Sequence, residues 1–123
     1  MSNLIIMEDR SAAPWRSVTA RDRRYSIRYP FAADAELLDL QTGAKARGVT
    51  SDLSIGGTFV CCTKSFLVGS RIRLVLTRKE QILEALAVVR ISKPRIGMGI
   101  EFLDMVAPRD QILFRWIEQL RRK

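Results

Sequence analysis

Apolar and polar residues alternate over much of the chain between positions 33 and 102. The clearest case is the segment 71–77, RIRLVLT, in which Ile72, Leu74 and Leu76 fall on one side of an extended strand, because successive side chains of a strand point to opposite faces. In the segment 82–91, ILEALAVVRI, the same alternation predicts one inward face, formed by Leu83, Ala85, Ala87, Val89 and Ile91. Both segments are predicted to be half-buried β-strands.

Four further short segments complete the predicted strands. They are separated by turn residues and cover 33–40, 44–54, 57–63 and 96–102. Gly48 lies inside the second of them, which suggests a β-bulge or a sharp bend. Short strands with a turn after about every eight to twelve residues are typical of antiparallel barrels. We therefore predict a six-stranded antiparallel barrel over about residues 31–103, whose closure removes exposed edge strands.

The period changes at the C-terminus and becomes helical. Pro108 suits the first turn of a helix, Asp110 favours the positive end of the helix dipole, and residues 121–123 are all basic. One apolar stripe runs along the segment, formed by Ile112, Leu113, Trp116, Ile117 and Leu120. We predict a helix over about 107–122 that packs on the barrel. In the alternative interpretation this helix binds a partner, and Phe114, which lies off the stripe, is the contact.

The fold class is therefore all-β with a C-terminal helix, in one domain over residues 21–123. Residues 1–20 show no clean period and contain Pro14. They are predicted to form a flexible arm, with Trp15 as its anchor. No segment reaches the length of a transmembrane helix or of a signal sequence, so we expect a cytoplasmic protein without membrane insertion.

Positive charge is concentrated near the start of this domain. The 123 residues include 21 Lys and Arg against 13 Asp and Glu, a formal net charge of +8. Against a lone Asp22, the stretch from 16 to 28 carries five arginines, at Arg16, Arg21, Arg23, Arg24 and Arg28. Such a run attracts phosphates, anionic lipid or an acidic protein surface. It is equally consistent with a solvated basic arm.

The residue types needed for catalysis or for metal binding are scarce. The chain has no histidine, and its only cysteines are the neighbours Cys61 and Cys62. Adjacent strand residues point to opposite faces, so neither a disulfide nor a zinc site is expected there. There is also no glycine-rich phosphate loop followed by lysine. We predict a protein that is not an enzyme and that holds no metal or cofactor.

A second polar motif, SDLSIGG at residues 51–57, covers the junction of the second and third predicted strands. Taken alone it is typical of any turn, because Asp and Ser cap the local backbone and Gly relaxes steric limits. Chemically it complements the arginines. The Asp52 carboxylate can accept the N–H donors of a guanine, an arginine fork can bind the O6 and N7 acceptors or a phosphate, and the Ser54 hydroxyl can bond either. Gly57 has no Cβ to obstruct a flat ligand.

The two motifs together resemble the signature of the PilZ family of cyclic di-GMP receptors, RxxxR followed by (D/N)xSxxG. The first corresponds to Arg24-Tyr25-Ser26-Ile27-Arg28 and the second to the residues from Asp52 to Gly57. The segment GMGIEF at 97–102 is similar to the last strand of that family. The resemblance covers about residues 21–102.

This resemblance implies a ligand site. Arg24 and Arg28 would grip phosphates and guanine edges, Asp52 and Ser54 would read a guanine, and Gly57 would give clearance. Further candidates with weaker support are Arg21, Arg23 and Gly56. In the family, an arginine directly before RxxxR is associated with two stacked ligand molecules, and Arg23 holds that position.

The resemblance also implies a function. We expect a stand-alone cyclic di-GMP receptor whose arginine loop closes on the ligand and changes the surface offered to an effector protein that controls motility, biofilm or exopolysaccharide. One alternative is a basic small-barrel nucleic-acid binder, although no row of exposed aromatics is predicted, and DNA or RNA is not the expected partner. The other is a PilZ-type adaptor that acts through protein contacts without ligand.

Overall fold

The computed structural model describes residues 27–106 and 110–122. The predicted arm at 1–20 therefore lies outside the described residues, as do Arg21, Arg23 and Arg24. In chain order the described elements are β1 (Tyr29–Pro30), β2 (Asp34–Asp39), β3 (Lys45–Leu53), β4 (Gly57–Cys61), β5 (Arg71–Arg78), β6 (Gln81–Lys93), β7 (Gly97–Met105) and α1 (Asp110–Arg121).

Six of these strands close into an antiparallel barrel. Around the barrel, β2 pairs with β3, β3 with β4, β4 with β7, β7 with β6, β6 with β5, and β5 returns to β2. The predicted fold class, a six-stranded barrel with a C-terminal helix, is confirmed. The short strand β1 was not predicted. It pairs with the end of β3, where Tyr29 lies opposite Leu53 and Pro30 lies opposite Asp52.

The core follows the predicted alternation, with one exception. Ile72, Leu74 and Leu76 of β5 are fully buried, and the alternate residues 83–89 of β6 are buried as well. Ile91, predicted to continue that inward face, is instead 49% exposed. The pairing of β6 with β7 shifts register between Val89 and Ile91. Because a bulge adds one residue to a strand, it reverses the faces that follow it, and Ile91 points outward.

Gly48 is not the site of a bulge. A Cβ on Gly48 would lie 2.2 Å from the backbone oxygen of Cys61, so the glycine permits the close approach of β4 to β3. The irregularity lies further along β3, where the register with β4 shifts between Thr50 and Asp52. Thr50 and Leu53 are both buried, so the extra residue leaves Asp52 on the outer surface.

The helix α1 packs on the barrel through its apolar stripe, as predicted. Leu113, Trp116 and Ile117 are buried, and Trp116 Nε1 donates a hydrogen bond to Gln81 Oε1 at 2.7 Å. Phe114, expected to lie off the stripe, is half-buried and also packs against the core, so it is not the exposed contact of the alternative interpretation. The described helix is too short and too polar to cross a membrane.

Candidate functional site

The second arginine of the first motif contacts the aspartate of the second motif. Arg28 Nη1 donates to Asp52 Oδ1 at 2.7 Å, across a separation of 24 residues in sequence. The side chains are 53% and 27% exposed, so the pair lies at the surface. The short pairing of β1 with β3 produces this contact, because Arg28 directly precedes β1 and Asp52 lies opposite Pro30.

The Asp52 side chain is held in place from the barrel side. The backbone N–H of Phe59 donates to Asp52 Oδ1 at 3.2 Å, and the Thr58 hydroxyl donates to the Asp52 carbonyl oxygen at 2.6 Å. Both residues belong to β4, the neighbouring strand. Among the described residues, the hydrogen bonds that the Asp52 side chain accepts all reach Oδ1.

Ser54 builds the turn between β3 and β4. Its hydroxyl accepts hydrogen bonds from the backbone N–H groups of Gly56 at 3.2 Å and Gly57 at 3.1 Å, and the Ser54 N–H donates to the Gly57 carbonyl at 2.8 Å. The residue is buried. In this structure Ser54 shapes the turn beside Asp52, and its direct contact with a ligand stays a prediction.

The two glycines of this turn differ in their surroundings. A Cβ on Gly57 would lie 2.1 Å from the backbone oxygen of Ile100, so the lack of a side chain serves the pairing of β4 with β7. Around Gly56 there is nothing within 4 Å of such a Cβ. Open space at the position of a side chain is therefore found at Gly56, and the clearance for a ligand at Gly57 stays a prediction.

Phe59 is a further candidate residue that the sequence analysis did not select. It lies opposite Asp52 in the pairing of β3 with β4. Its ring lies over β7 at Gly97, where a Cβ would come within 2.7 Å of a ring carbon. A partly exposed aromatic ring beside a carboxylate offers a flat surface to a base. The signals for this surface in the sequence were Phe59 and Gly97 of the GMGIEF segment. The two residues are distant in sequence, and only the pairing of β4 with β7 brings them together.

The chain that follows Arg28 is firmly attached to the barrel. The Thr50 hydroxyl donates to the Phe31 carbonyl at 2.6 Å and accepts from the Ala33 N–H at 2.9 Å. The Phe31 ring packs on Trp116, with ring centroids 5.0 Å apart, and the Arg78 guanidinium lies 4.4 Å from the Phe31 ring centroid. The position of Arg28 is thus fixed from its C-terminal side.

The described residues contain no group of three or more Cys, Asp or Glu side chains that could hold a metal ion. Cys61 and Cys62 are free thiols, the first exposed and the second half-buried. Burial raises the pKa of the Cys62 thiol, and the neighbouring Cys61 raises this pKa further. Nothing in this arrangement suggests catalysis by the pair.

Comparison with known families identifies the class of protein. The PilZ domain family model matches residues 22–119, which include both motifs, the barrel and most of α1. The chain belongs to the PilZ domain family, as its two motifs predict. No curated protein sequence matches the chain at a significant level.

Three solved structures share the fold. The PilZ domain of CeSA from a cellulose-synthesizing bacterium is 20% identical, with a TM-score of 0.60 over 77% of this chain and 98% of that one. The inhibitor of motility MotI/DgrA of Bacillus subtilis is 23% identical, with a TM-score of 0.61 over 79% of this chain and 51% of that one. The PilZ domain of Escherichia coli YcgR, solved with cyclic di-GMP, is 18% identical, with a TM-score of 0.63 over 82% and 92%.

Proposed function

We propose that this chain is a non-enzymatic cyclic di-GMP receptor. Its ligand surface comprises the outer wall around Asp52, Gly56 and Phe59 together with the arginines of the first motif. The observation that carries the proposal is the ion pair of Arg28 with Asp52, in which the last arginine of the first motif meets the aspartate of the second. Membership of the PilZ family supports it, as does the cyclic di-GMP present in the structure of the YcgR domain.

The ion pair suggests how a guanine is taken up. A guanine edge offers N–H donors that replace Arg28 at the Asp52 carboxylate. The released guanidinium then binds a phosphate or the O6 and N7 acceptors of the same base. The ion pair lies at the surface and both of its side chains are partly exposed, so breaking it costs at most about 1 kcal/mol. Each new charge-assisted hydrogen bond contributes on the order of 1.5–3 kcal/mol, so the exchange favours binding.

Phe59 adds a stacking surface to this exchange. A base that lies on the Phe59 ring has its edge directed along the outer wall, where Asp52 is the opposite residue of the neighbouring strand. Stacking on an aromatic ring contributes about 1–3 kcal/mol for each base. A few such interactions reach micromolar affinity, which corresponds to about −8 kcal/mol.

Ligand binding would then alter what the chain offers to a partner. Arg24 and Arg28 bind the phosphates, and the loop that carries them is ordered against the wall. The surface so formed is read by an effector protein, and control of motility, biofilm or exopolysaccharide is the proposed outcome. The proposed ligand site lies in the cytoplasm.

Calorimetric titration of the full chain with cyclic di-GMP tests the proposal, with cyclic di-AMP and GTP as competing ligands. We expect saturable binding of cyclic di-GMP alone. Arg24→Ala and Arg28→Ala should each abolish it. Arg47→Ala is a matched control, because Arg47 is an exposed arginine of β3 that pairs with Glu36, away from both motifs.

Three results would contradict the proposal. One is that Arg28→Ala binds cyclic di-GMP as the parent chain does. Another is that Arg47→Ala loses binding to the same extent. The third is salt-dependent binding of long DNA or RNA with no preference for the cyclic dinucleotide, which would support the nucleic-acid alternative.

A further inference from the structure

Three aliphatic side chains stand out from one end of the barrel. Leu67 is 82% exposed, and Val68 and Ile96 are each 61% exposed. They are the most exposed large hydrophobic residues of the described part of the chain. Single exposed apolar residues need no explanation, but three on two adjacent connections suggest a contact surface.

These residues lie on two adjacent connections, the loop 62–70 between β4 and β5 and the turn 94–96 between β6 and β7. The Cys62 N–H donates to the Ile96 carbonyl at 3.1 Å, and the Ser65 hydroxyl donates to the Lys93 carbonyl at 3.2 Å. Further along the loop, the Gly69 N–H donates to the Val89 carbonyl at 2.8 Å. We call the two connections together the basic end of the barrel.

The loop is fixed, so its apolar residues do not fold back into the core. Phe66 is buried, and its backbone N–H lies 3.2 Å from the sulfur of Met98 as a hydrogen-bond donor. The next two residues, Leu67 and Val68, remain outside beside this anchor. A barrel that buries Phe66 yet exposes both following residues presents them on a rigid support.

The two connections that carry these side chains contain cations and no acids. The basic end carries Lys64 and Arg95, Lys93 directly precedes its turn, and neither 54–79 nor 85–100 contains an Asp or Glu. Within residues 27–106 and 110–122, these three cations form no ion pair. Nearby Asp39 is buried, and its carboxylate accepts the N–H groups of Gln41 and Thr42.

We propose that the basic end docks on the surface of an anionic lipid bilayer. The aliphatic tips would enter the headgroup boundary, while the cations contact lipid phosphates. Residues as exposed as Leu67 protrude and do not line a groove, which suits a planar surface better than a peptide. An aromatic platform for nucleic-acid bases is missing from these two connections. This is peripheral contact, without a spanning segment, and it is independent of the proposed ligand site.

The two ends of the barrel would then have separate tasks. The helix α1 packs near the β5–β6 turn through Trp116 and Gln81, whereas the basic end lies at the β6–β7 turn, at the other end of β6. The Arg28–Asp52 pair lies on the side wall, between β1 and β3. Docking by the basic end leaves the helix accessible, whereas the Phe59 edge of the wall lies beside Gly97, the residue that follows the turn 94–96.

Co-sedimentation of the full chain with lipid vesicles tests the proposal. One set of vesicles is phosphatidylcholine alone, and the other is phosphatidylcholine with phosphatidylglycerol in equal parts. We expect binding only to the anionic set, and weaker binding at high salt. The charge variant combines Lys64→Gln, Lys93→Gln and Arg95→Asn. Asparagine is chosen because Arg95 has φ of +64°, a conformation that asparagine tolerates.

Matched variants separate this surface from general charge. Since each basic residue contributes about fivefold, the charge variant should lower the partition coefficient on the order of 100-fold. Leu67→Ser with Val68→Ser should lower it about tenfold or more at unchanged net charge. The control removes two exposed arginines of α1 and the exposed Arg122 that follows it, and it should retain most of the binding; it combines Arg115→Gln, Arg121→Gln and Arg122→Gln.

Four outcomes would overturn the proposal. The first is that the chain does not bind anionic vesicles at low salt, and the second is that the charge variant and the α1 control lose binding equally. The third is that the Leu67 and Val68 variant binds as fully as the parent chain. The fourth is a dimer in solution that only the Leu67 and Val68 variant disrupts. The last result would assign the surface to a second copy of the chain. Circular dichroism of each variant establishes that it is folded.

Discussion

At the scale of single residues, the contact between Arg28 and Asp52 connects sequence to function. Both side chains are partly exposed, and exposed ion pairs contribute little to stability. Asp52 also accepts the Phe59 N–H, so it has a structural role as well as a proposed ligand role. These two roles predict different results for the same substitution.

Asp52→Ala should lower the affinity for cyclic di-GMP about tenfold to a hundredfold, because a charge-assisted hydrogen bond contributes about 1.5–3 kcal/mol. Selectivity for guanine over adenine should fall as well. The loss of the Phe59 hydrogen bond should cost about 1 kcal/mol of unfolding free energy. Urea unfolding and calorimetric titration of the same sample measure both quantities. If Asp52 only caps the backbone, stability falls while the affinity of the folded protein stays unchanged.

The two cysteines should differ in reactivity. Cys61 is exposed, whereas Cys62 is half-buried, and burial raises the Cys62 pKa, so less thiolate is present at a given pH. At mildly alkaline pH a thiol reagent should therefore modify one cysteine rapidly and the other slowly. The rapid phase should disappear in Cys61→Ser and persist in Cys62→Ser. Loss of the rapid phase in Cys62→Ser would show instead that Cys62 is the cysteine that reacts rapidly.

At the scale of elements, the sequence predicted where strands lie better than where their faces change. Alternation gave the inward faces of β5 and most of β6, but it failed at Ile91 and did not locate the irregularity before Asp52. Both failures occur at shifts of register with a neighbouring strand. A bulge depends on the partner strand, which is distant in sequence, so a single strand's pattern cannot indicate it.

The turn between β3 and β4 gives a matched test of two neighbouring glycines. Gly57→Ala should lower the unfolding free energy by roughly 1–3 kcal/mol or more, because its Cβ would lie 2.1 Å from the Ile100 oxygen. Gly56→Ala should change it by less than about 0.5 kcal/mol, since the space there is open. Chemical denaturation of both variants measures the difference. Equal stabilities would show that β7 moves away from Gly57 at no cost.

At the scale of the whole molecule, the barrel and its helix were predicted from the chain alone, because turn spacing and a change of period are local signals. The two-residue strand β1 has no period and was missed, yet it brings Arg28 to Asp52. The motifs indicated which residues belong to the site. Their arrangement, with Ser54 turned inward and Phe59 beside Asp52, required the closed barrel.

Ligand stoichiometry belongs to this scale as well. Arg23 directly precedes the first motif, and we predict two cyclic di-GMP molecules for each chain. A stacked pair carries four phosphate charges, and a third guanidinium adds charge and a flat surface for a base. Arg23→Leu should shift the ratio toward one. Titration at protein concentrations far above the dissociation constant measures it, and a sharp break at one ligand in the parent chain would contradict the prediction.

The attachment of Phe31 to Thr50 and Trp116 has a kinetic consequence for the arginine pair. Because the chain is fixed just after Arg28, the Cα of Arg24, four residues earlier, can lie at most about 14 Å away. When Arg28 holds a ligand, Arg24 therefore meets it as a tethered group, at an effective concentration of millimolar or above. Once Arg28 holds the ligand, its binding by Arg24 is in effect a unimolecular step. Lengthening the three-residue spacer should weaken binding gradually, by dilution of Arg24, while Arg28 keeps its place beside the barrel wall.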